Sequence, residues 1–525
     1  MRFASWAFLL FLAVLVPVYY LVPKRIQWIV LLLANAVFVS FAGWLGAVFM
    51  TVTVATVYAA SRGIDALFAR QRETLAAMKA THTKEERRKT RLRFEKRRRL
   101  VLVACLVVNF GILFVLKYGA MIGRLSASVF GTRAFGADLA LTMGISYYTF
   151  STVGYLLDVY RETIQAEKNP LKLALFTSFF PLLVQGPISR FEIVGRSLSE
   201  PHSFDGRRFL SAALRIAWGY WKKLIVAEPL LVAVRALCAR PDVYRGGFTV
   251  LLMLLYAACL YADFTGGIDI AIGVGELFGV RVPENFERPY FSKSIAEYWR
   301  RWHITLGEWF KEYVYYPLSV SRPMRRLTAK ARKLGPGFAR RLPVYLSTLL
   351  VWALTGVWHG GRLTFLVWGL LNGVVILLSE ELKPLYARFR RRAPALTQSA
   401  AYRGFTVIRT VLLLSSLRLL DCYTSVKDAF SAFFSMFTTW NWGAVVHGGV
   451  QSLGLSWADY GVAAFGVLVM FALSTVQRKG SVRERIRKRG AVFSVAVLLT
   501  LIGTILVFGR YGFGFDPGQF IYSRF

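Results

Sequence analysis

The sequence predicts an all-α protein that crosses a membrane many times. Of its 525 residues, 55% are hydrophobic, and the mean hydropathy is +0.46. Apolar runs of roughly 20 residues, about the length that spans the hydrocarbon core of a bilayer, recur along the chain. These runs are continuous, whereas a membrane β-barrel would show short segments of alternating polarity. A polytopic helical membrane protein is therefore the expected class.

The apolar runs define the candidate spans in chain order. The first run is interpreted as a retained helix, with a cleaved signal peptide as the alternative. The second run is long enough for two helices, which we expect to be hinged near Gly43 and Gly46. A shorter run, 169–191, is broken by Pro181 and Pro187 and is predicted to be re-entrant. The candidate spans are residues 3–22, 26–60, 100–118, 139–159, 209–236, 248–280, 343–357, 363–380, 403–420, 458–476 and 491–509.

The basic residues lie in blocks between the apolar runs. Lys and Arg number 66 against 29 acidic residues, for a formal net charge of +37. Such blocks are typical of loops that stay cytoplasmic, and their position between spans argues against nucleic acid as a partner. The blocks are residues 62–99, 321–341, 388–392 and 478–489.

The pattern of spans predicts a single integral membrane domain over residues 1–525. Its expected parts are N-terminal helices in 1–120 with a cytoplasmic basic loop at 62–99, a core in 139–380, and C-terminal helices in 381–525.

One histidine lies in the unusual stretch 294–318, SIAEYWRRWHITLGEWFKEYVYYPL. Drawn as one helix over 297–316, the stretch is amphipathic and His303 falls on its apolar side. An interfacial helix with tryptophans at headgroup level, in which His303 caps a neighbour, would account for the pattern. The predicted apolar stripe is Trp299, Trp302, His303, Leu306, Phe310 and Tyr313.

A second histidine lies in the turn TGVWHGGR between the spans 343–357 and 363–380. If the basic blocks are cytoplasmic, this turn and His359 face the outer half of the membrane, while His303 leads into the cytoplasmic block that follows it. Ionisable groups at membrane depth are costly and commonly line a pathway. His359 is therefore a candidate functional residue, and a structural histidine at a tight turn is the alternative.

Two acids and a hydroxyl-rich run also lie in apolar surroundings. Asp263 and Asp269 stand in LYADFTGGIDIAIG, where they have three candidate roles: orienting a histidine, binding a substrate hydroxyl, or capping a broken helix. The run 143–161 carries Ser146 and Tyr148, whose hydroxyls either pair across helices or line a wet tunnel.

No metal or cofactor motif accompanies these residues. The sequence has no HExxH, GxSxG, P-loop or dinucleotide fingerprint, and its four cysteines have no CxxC spacing. Histidine acid–base chemistry is the remaining option, since imidazole exchanges protons near neutral pH.

The histidine segments together resemble the paired signature of the membrane-bound O-acyltransferase family, in its bacterial alginate O-acetylation and D-alanyl transfer branch. YWRRWHITLGEWFKEYVYYPL and, further along, TGVWHGGRLTFLVWGLLNG carry the resemblance. It extends in order from about residue 109 to the end through LKYG, GISYYTFSTVGYLLDVYR, FFPLLVQGPISR, YADFTGGIDIAIG and the terminal FIYSRF.

The resemblance implies a ring of tilted helices around a funnel with a central tunnel. His359 is then the catalytic residue, and His303 lies along the same tunnel towards the donor. The residues implied to line the tunnel or bind substrate are Trp302, Trp358, Asp263, Asp269, Tyr148 and Ser146.

The implied reaction moves an acyl group, with acetyl as the expected group, from a cytoplasmic thioester to polysaccharide hydroxyls outside a bacterial inner membrane. Acetyl-CoA or an acyl carrier protein would be the co-substrate, with no tightly bound cofactor. An esterase-like acyltransferase outside the cell is the implied partner. The chain departs from the family at YYPLSVSRP, at FIYSRF and at DCYTSVKDAF, where an arginine-containing stretch is expected. D-alanylation of teichoic acid, a transporter or flippase, and a non-catalytic scaffold are the alternatives.

Overall fold

The chain folds as a helical protein with many apolar helices. A computed structural model describes residues 1, 3–41, 43–130 and 144–511, with side chains for all of these except 120, 121 and 123–130. These residues contain no β-strand, only an isolated bridge between Phe286 and Trp302. The all-α polytopic class is confirmed. The terminal FIYSRF and the first five residues of the predicted span 139–159 lie outside the described residues.

Seven helices in the described part of the chain are long and apolar enough to cross a membrane. They are Trp44–Ala77, Lys84–Gly119, Gly247–Leu277, Pro336–His359, Leu363–Glu381, Trp457–Lys479 and Ala491–Phe508.

The remaining predicted spans form shorter or more polar helices. The first run is a helix of 16 residues, Trp6–Leu21, and Gln27–Ser40 has 14. Ile145–Tyr160 also has 16. The predicted span 209–236 carries several charges, and the span 403–420, a helix of 18 residues, carries two arginines within Ala400–Leu417. A length of about 20 apolar residues is needed to span a bilayer unaided.

The residues form two compact units, Met1–Phe209 with Val274–Pro283, and Leu210–Gly273 with Glu284–Phe525. Both histidine segments lie in the second unit. The division into one membrane domain with three parts stays a prediction.

The first unit consists of helices that begin at Trp6. They are α1 (Trp6–Leu21), α2 (Gln27–Ser40), α3 (Trp44–Ala77), α4 (Lys84–Phe130), α5 (Ile145–Tyr160), α6 (Pro170–Ser178), α7 (Phe180–Leu183) and α8 (Arg196–Ser199), with a π-helical turn at Phe191–Gly195.

The predicted basic loop at 62–99 is helical, which corrects the prediction. Only residues 78–83 separate α3 from α4, and Gly43, with φ +90°, marks the predicted hinge before α3. Lys, Arg and Glu are good helix formers. Thr83 and Glu86 cap the start of α4, and Arg98 packs over the Phe68 ring at 3.8 Å to tie the two helices together.

The predicted broken segment 169–191 is short, buried and broken, as expected. The break falls at Phe179, between α6 and α7, and Pro181 occupies the start of α7, where a missing N–H costs little. The Asn35 amide holds the break, since it accepts from the Phe180 N–H at 3.0 Å and donates to the Ser178 hydroxyl at 3.1 Å. The free backbone groups are thus covered by protein.

The remaining helices lie wholly or mostly in the second unit. They are α9 (Gly206–Trp221), α10 (Glu228–Ala239), α11 (Gly247–Leu277), α12 (Ile295–Arg301), α13 (Ile304–Phe310), α14 (Tyr316–Ser319), α15 (Arg322–Ala331), α16 (Pro336–His359), α17 (Leu363–Glu381), α18 (Lys383–Arg392), α19 (Pro394–Gln398), α20 (Ala400–Leu417), α21 (Leu419–Cys422), α22 (Val426–Thr438), α23 (Trp442–Ala444), α24 (Trp457–Val476), α25 (Val482–Lys488) and α26 (Ala491–Phe508). π-helical turns follow α9, α13 and α23 at Lys222–Ala227, Lys311–Tyr315 and Val445–Gly449.

Helices α16 and α17 form a tight antiparallel hairpin. A Cβ at Gly356 would lie 2.4 Å from the Phe365 oxygen, and one at Gly369 would lie 2.2 Å from the Trp352 oxygen, so the backbones cross at glycines. At the far end, Arg341 forms an ion pair with Glu381. His359 is therefore about 27 Å along α16 from that basic end, at 1.5 Å per residue.

Candidate active site

The first histidine lies at a break in the chain, not inside one helix. Helix α12 ends at Arg301 and α13 begins at Ile304, so the predicted continuous helix over 297–316 was wrong. Trp302 is extended and His303 is left-handed, at φ +49° and ψ +52°. A left-handed conformation strains a residue other than glycine by about 1–3 kcal/mol, so its surroundings must hold it.

Asn285 holds this break. The antiparallel bridge at Phe286 places the Asn285 backbone oxygen 3.0 Å from the Ile304 N–H. Its side-chain Oδ1 accepts from the Thr305 N–H at 3.1 Å, from the Thr305 hydroxyl at 2.9 Å and from His303 Nδ1 at 3.3 Å. These bonds replace the intrahelical bonds that a continuous helix would have made.

The same contacts assign the tautomer of His303. A backbone N–H can only donate, so the Asn285 atom beside Thr305 must be the amide oxygen. The oxygen can only accept, and His303 Nδ1 must then carry a hydrogen. Nε2 is left as the nitrogen with the lone pair.

The environment also keeps His303 neutral. The ring is 3% exposed. Burial, with a further contribution from the Arg418 guanidinium, lowers the pKa of the His303 imidazole to about 3. The side chain therefore enters any reaction near neutral pH as an uncharged imidazole.

The second histidine, His359, is the last residue of α16. The turn after it depends on Gly360, where a Cβ would lie 2.8 Å from the Phe365 ring. The buried His359 ring contacts Trp368 edge-on at a centroid distance of 4.8 Å and lies 6.1 Å from the Phe365 ring. The close approach allowed by glycine thus sets the imidazole against aromatic side chains of α17.

Trp358 connects the two histidine segments. Its ring lies 5.9 Å from the His303 ring and 5.0 Å from the His359 ring. Although 56 residues apart in the sequence, the two imidazoles thus flank one buried indole. The structure brings together four of the predicted site residues: His303, Trp302, Trp358 and His359.

A cluster of tryptophans surrounds this contact, and the second unit builds it from α12, α16 and α17. Trp299 contacts Trp352 at 4.8 Å and Trp368 at 5.7 Å. The Trp299 indole N–H donates to Asn372 at 3.1 Å, and the Asn372 amide donates to the Trp368 carbonyl at 2.8 Å. The segment around His303 is therefore attached through Trp299 to α17, the helix that follows His359. The tryptophan cluster comprises Trp299, Trp302, Trp352, Trp358 and Trp368.

A buried arginine sits over this cluster. The Arg418 guanidinium is 4.9 Å from the Trp368 ring centroid, 5.4 Å from Trp302 and 5.5 Å from Trp299. Its partner is Asp421, at 2.8 Å, and both side chains are buried. Cation–π contacts of a desolvated arginine are favourable, so Arg418 places positive charge beside both histidine segments.

The predicted acids of α11 pair with basic residues. Asp263 accepts from Lys223 at 2.5 Å, and both side chains are buried, at 1% and 0% exposure. Asp269 accepts from Lys222 at 2.6 Å and from Arg215 at 2.9 Å. Helix α11 runs unbroken past both acids, so the option that they cap a broken helix was wrong.

The four remaining predicted site residues lie on α11 and α5. Phe264, the neighbour of Asp263, packs on the His303 ring at 5.0 Å, whereas Asp269 lines a cavity that neither histidine lines. Ser146 and Tyr148 lie buried in α5 of the first unit, and their role at the tunnel stays a prediction.

Sequence reasoning missed several partners of these residues. Arg418 and Lys223 are charged residues inside predicted spans, and the same feature marks Asp263 and Asp269 as candidates. Asn372 lies within the quoted motif FLVWGLLNG. Asn285 lies 18 residues before His303 in the sequence, and no local pattern marks it.

Comparisons with known proteins agree on one family. Residues 163–330 match the model of the MBOAT, membrane-bound O-acyltransferase family. The chain is 33% identical over 397 residues to a probable alginate O-acetylase of Azotobacter vinelandii, covering 73% of this chain and 69% of that protein.

More distant relatives carry other acyl-transfer names. A peptidoglycan O-acetyltransferase of Helicobacter pylori is 29% identical over 57% of this chain and 58% of its own length. A teichoic acid D-alanyltransferase of Streptococcus thermophilus is 28% identical over 45% of this chain and 56% of its own length.

One assignment follows from the two histidine segments, from the apolar helices, and from the relative that aligns with this chain over most of both lengths. This multi-pass membrane protein is an O-acyltransferase and belongs to the membrane-bound O-acyltransferase family.

Proposed function

We propose that the protein transfers an acetyl group from a cytoplasmic thioester, across the membrane, to hydroxyls of an extracytoplasmic or cell-wall polysaccharide. The relatives named for alginate and peptidoglycan O-acetylation support the reaction and the acceptor class. The observation that carries the proposal is the contact of His303 and His359 with the same indole, Trp358.

His359 acts as the general base in this proposal. It takes the proton of the accepting hydroxyl while the hydroxyl oxygen attacks the thioester carbonyl carbon. The carbon–sulfur bond then breaks, and the leaving thiolate takes the proton back from the imidazolium. The buried Arg418 cation contacts the same Trp368 ring as His359, and in this proposal it favours the negative charge that develops on the carbonyl oxygen.

His303 lies on the donor side. The chain runs from it through α13 and α14 into the basic block 321–341, which the charge pattern assigns to the cytoplasmic face. In this proposal its neutral imidazole, with the lone pair on Nε2, accepts a hydrogen bond from the incoming molecule that carries the thioester. Acetyl-CoA and an acyl carrier protein both present such a thioester.

The test replaces His359 by alanine. We expect O-acylation of the surface polysaccharide to fall by about 10²–10⁴-fold, the contribution of a general base, with unchanged abundance in the membrane. His447→Ala is the matched control, because His447 is an exposed histidine of the same unit. Normal acylation in the His359 variant would exclude it as the base.

D-alanyl transfer to teichoic acid is the second candidate, supported by the Streptococcus thermophilus relative. Mass spectrometry of the modified polymer separates the two, since an acetyl ester and an alanyl ester differ in mass and only the latter carries an amine. Release of D-alanine by mild base would favour this candidate over O-acetylation.

The route after the membrane is also a proposal. We infer that the hydroxyl accepting the acetyl group from this protein is a serine of an esterase-like protein outside the cell, which then passes the group to the polysaccharide. Replacing that serine should leave an unacylated polymer. Full acylation in such a strain would instead indicate direct transfer by this protein.

A further inference from the structure

A cavity of about 600 Å³ lies in the second unit, apart from the two histidines. Its walls come from α9, α11, α24, α26 and the segments 284–288 and 477–486. One end is closed by a hydrogen bond of 3.2 Å from the Trp221 indole to the Thr504 hydroxyl. The other end lies at the basic turn between α24 and α26.

The charges in this cavity are unevenly distributed. Five basic and three acidic side chains line it, for a net charge of +2. Arg215 pairs with Asp269 and Glu284, and Lys222 pairs with Asp269, in ion pairs of 2.6–2.9 Å. The other charged side chains of the lining are Arg288, Arg478, Arg483 and Glu287, so the excess of positive charge belongs to this second group.

Part of the cavity wall is apolar. Met470 and Leu473 of α24 face Val497 and Leu501 of α26. Thr504 lies 13 residues from the start of α26, about 20 Å at 1.5 Å per residue. One leaflet of a hydrocarbon core about 30 Å thick is about 15 Å deep, so the cavity reaches as deep as an acyl chain does.

The helices α24 and α26 also carry exposed apolar residues outside the cavity. Phe465, Leu468 and Phe471 of α24 and Leu499 and Leu506 of α26 are exposed apolar residues on helices long enough to span. The cavity is thus bounded by two membrane-spanning helices and opens at a basic turn. Basic pockets of this kind between membrane helices suit anionic lipid headgroups.

We propose that this cavity is a binding site for one anionic phospholipid. Its phosphate contacts Arg288, Arg478 and Arg483, and an acyl chain lies between α24 and α26. The occupant would fix α26, which is otherwise the least buried of the spanning helices, against the rest of the unit.

The experiment titrates the purified full chain in detergent with phosphatidylglycerol, phosphatidylcholine or inorganic phosphate, with thermal stability and native mass spectrometry as readouts. We expect one phosphatidylglycerol to bind at least tenfold more tightly than phosphatidylcholine. Arg478→Gln with Arg483→Gln should weaken it about 30-fold, equivalent to about 2 kcal/mol at 1.4 kcal/mol per tenfold, the size expected for two basic contacts at a lipid surface.

The matched control is Arg487→Gln with Lys488→Gln, which removes the same charge from exposed positions of the same basic block outside the cavity. It should bind within about threefold of the wild type. Equal weakening in both double variants would overturn the proposal, because general attraction to the basic block would then explain binding. Equal binding of phosphatidylcholine would also overturn it.

The experiment has two further parts, a comparison with inorganic phosphate and a second variant. Stabilisation by inorganic phosphate equal to that by phosphatidylglycerol would assign the cavity to a soluble anion and refute the lipid. If the arginine variant does not fold, Leu501→Trp fills the apolar part without changing charge and should abolish one-to-one lipid binding; retained binding there would refute the site. None of these readouts needs acyl transfer, so the result is independent of the proposed function.

Discussion

Replacing Asn285 by alanine should open the break that presents His303. The Asn285 amide is fully buried and accepts three hydrogen bonds, two of them from Thr305. The Thr305 N–H belongs to the first turn of α13, where helix geometry supplies no carbonyl four residues earlier. Once the amide is removed, that buried N–H loses the acceptor Asn285 Oδ1.

The expected cost is about 3 kcal/mol. An unsatisfied buried donor costs about 1–3 kcal/mol. The left-handed His303 stores a further 1–3 kcal/mol that its surroundings would no longer offset in full. At 1.4 kcal/mol per tenfold, about 3 kcal/mol raises the population of the opened loop by roughly 100-fold.

Hydrogen exchange measured by mass spectrometry on the peptide around residues 300–307 would report this opening directly. We expect Asn285→Ala to speed exchange there by about 100-fold while peptides of α24 keep their rates, since local opening sets the exchange rate. Asn285→Asp is the matched variant, because it keeps an acceptor for all three donors and should stay near the wild-type rate. Unchanged exchange in the alanine variant would show that Asn285 does not hold the break.

Three further outcomes can be measured. Because the folded pKa of His303 is about 3, against about 6.5 unfolded, the unfolded state binds a proton that the folded state excludes between these values. Stability should therefore fall as the pH drops below about 6.5, by about 2 kcal/mol from pH 7.5 to 5. In His303→Gln, the thermal midpoint should fall less between pH 7.5 and pH 5 than in the wild type. An equal fall in both proteins would contradict the lowered pKa of His303. Lys223→Met removes the buried cation that Asp263 and Glu228 share and should cost about 3–5 kcal/mol, visible as loss of membrane abundance. Adding Asp263→Asn should restore part of it, since Glu228 keeps its charge; no recovery would disprove the pairing of Lys223 with Asp263. Gly369→Ala should destabilise the hairpin by about 1–3 kcal/mol through overpacking, whereas Gly404→Ala, where a Cβ meets nothing within 4 Å, should be neutral or stabilising in thermal unfolding; equal effects would refute the close crossing.

The sequence was sufficient for the class of fold, and it singled out two histidines that the structure brings against one indole, Trp358. Spans are readable because a bilayer demands long apolar helices, and a histidine in a glycine-flanked turn such as His359 stands out in apolar surroundings. The lengths of α3 and α4 were missed, since hydropathy detects where apolar residues stop and not where a charged helix ends.

The inner arrangement of the site depends on contacts between distant segments. Periodicity over 297–316 favoured one helix, and it failed because the strand-like segment near Asn285 takes the backbone groups of the break. The inward position of Arg418 depends on three tryptophans from other helices. No window of local sequence contains such information.

The π-helical turn at Lys222–Ala227 sets the directions of two lysines that pair with acids of α11. A π turn carries one residue more than an α turn, and here two consecutive lysines reach acids six residues apart on α11. Deleting one residue within the turn would restore regular α-helical winding with little rotation of α10, but it would move the two lysines relative to their acids. Such a deletion should therefore weaken the Lys222–Asp269 and Lys223–Asp263 pairs while α9 and α10 keep their packing.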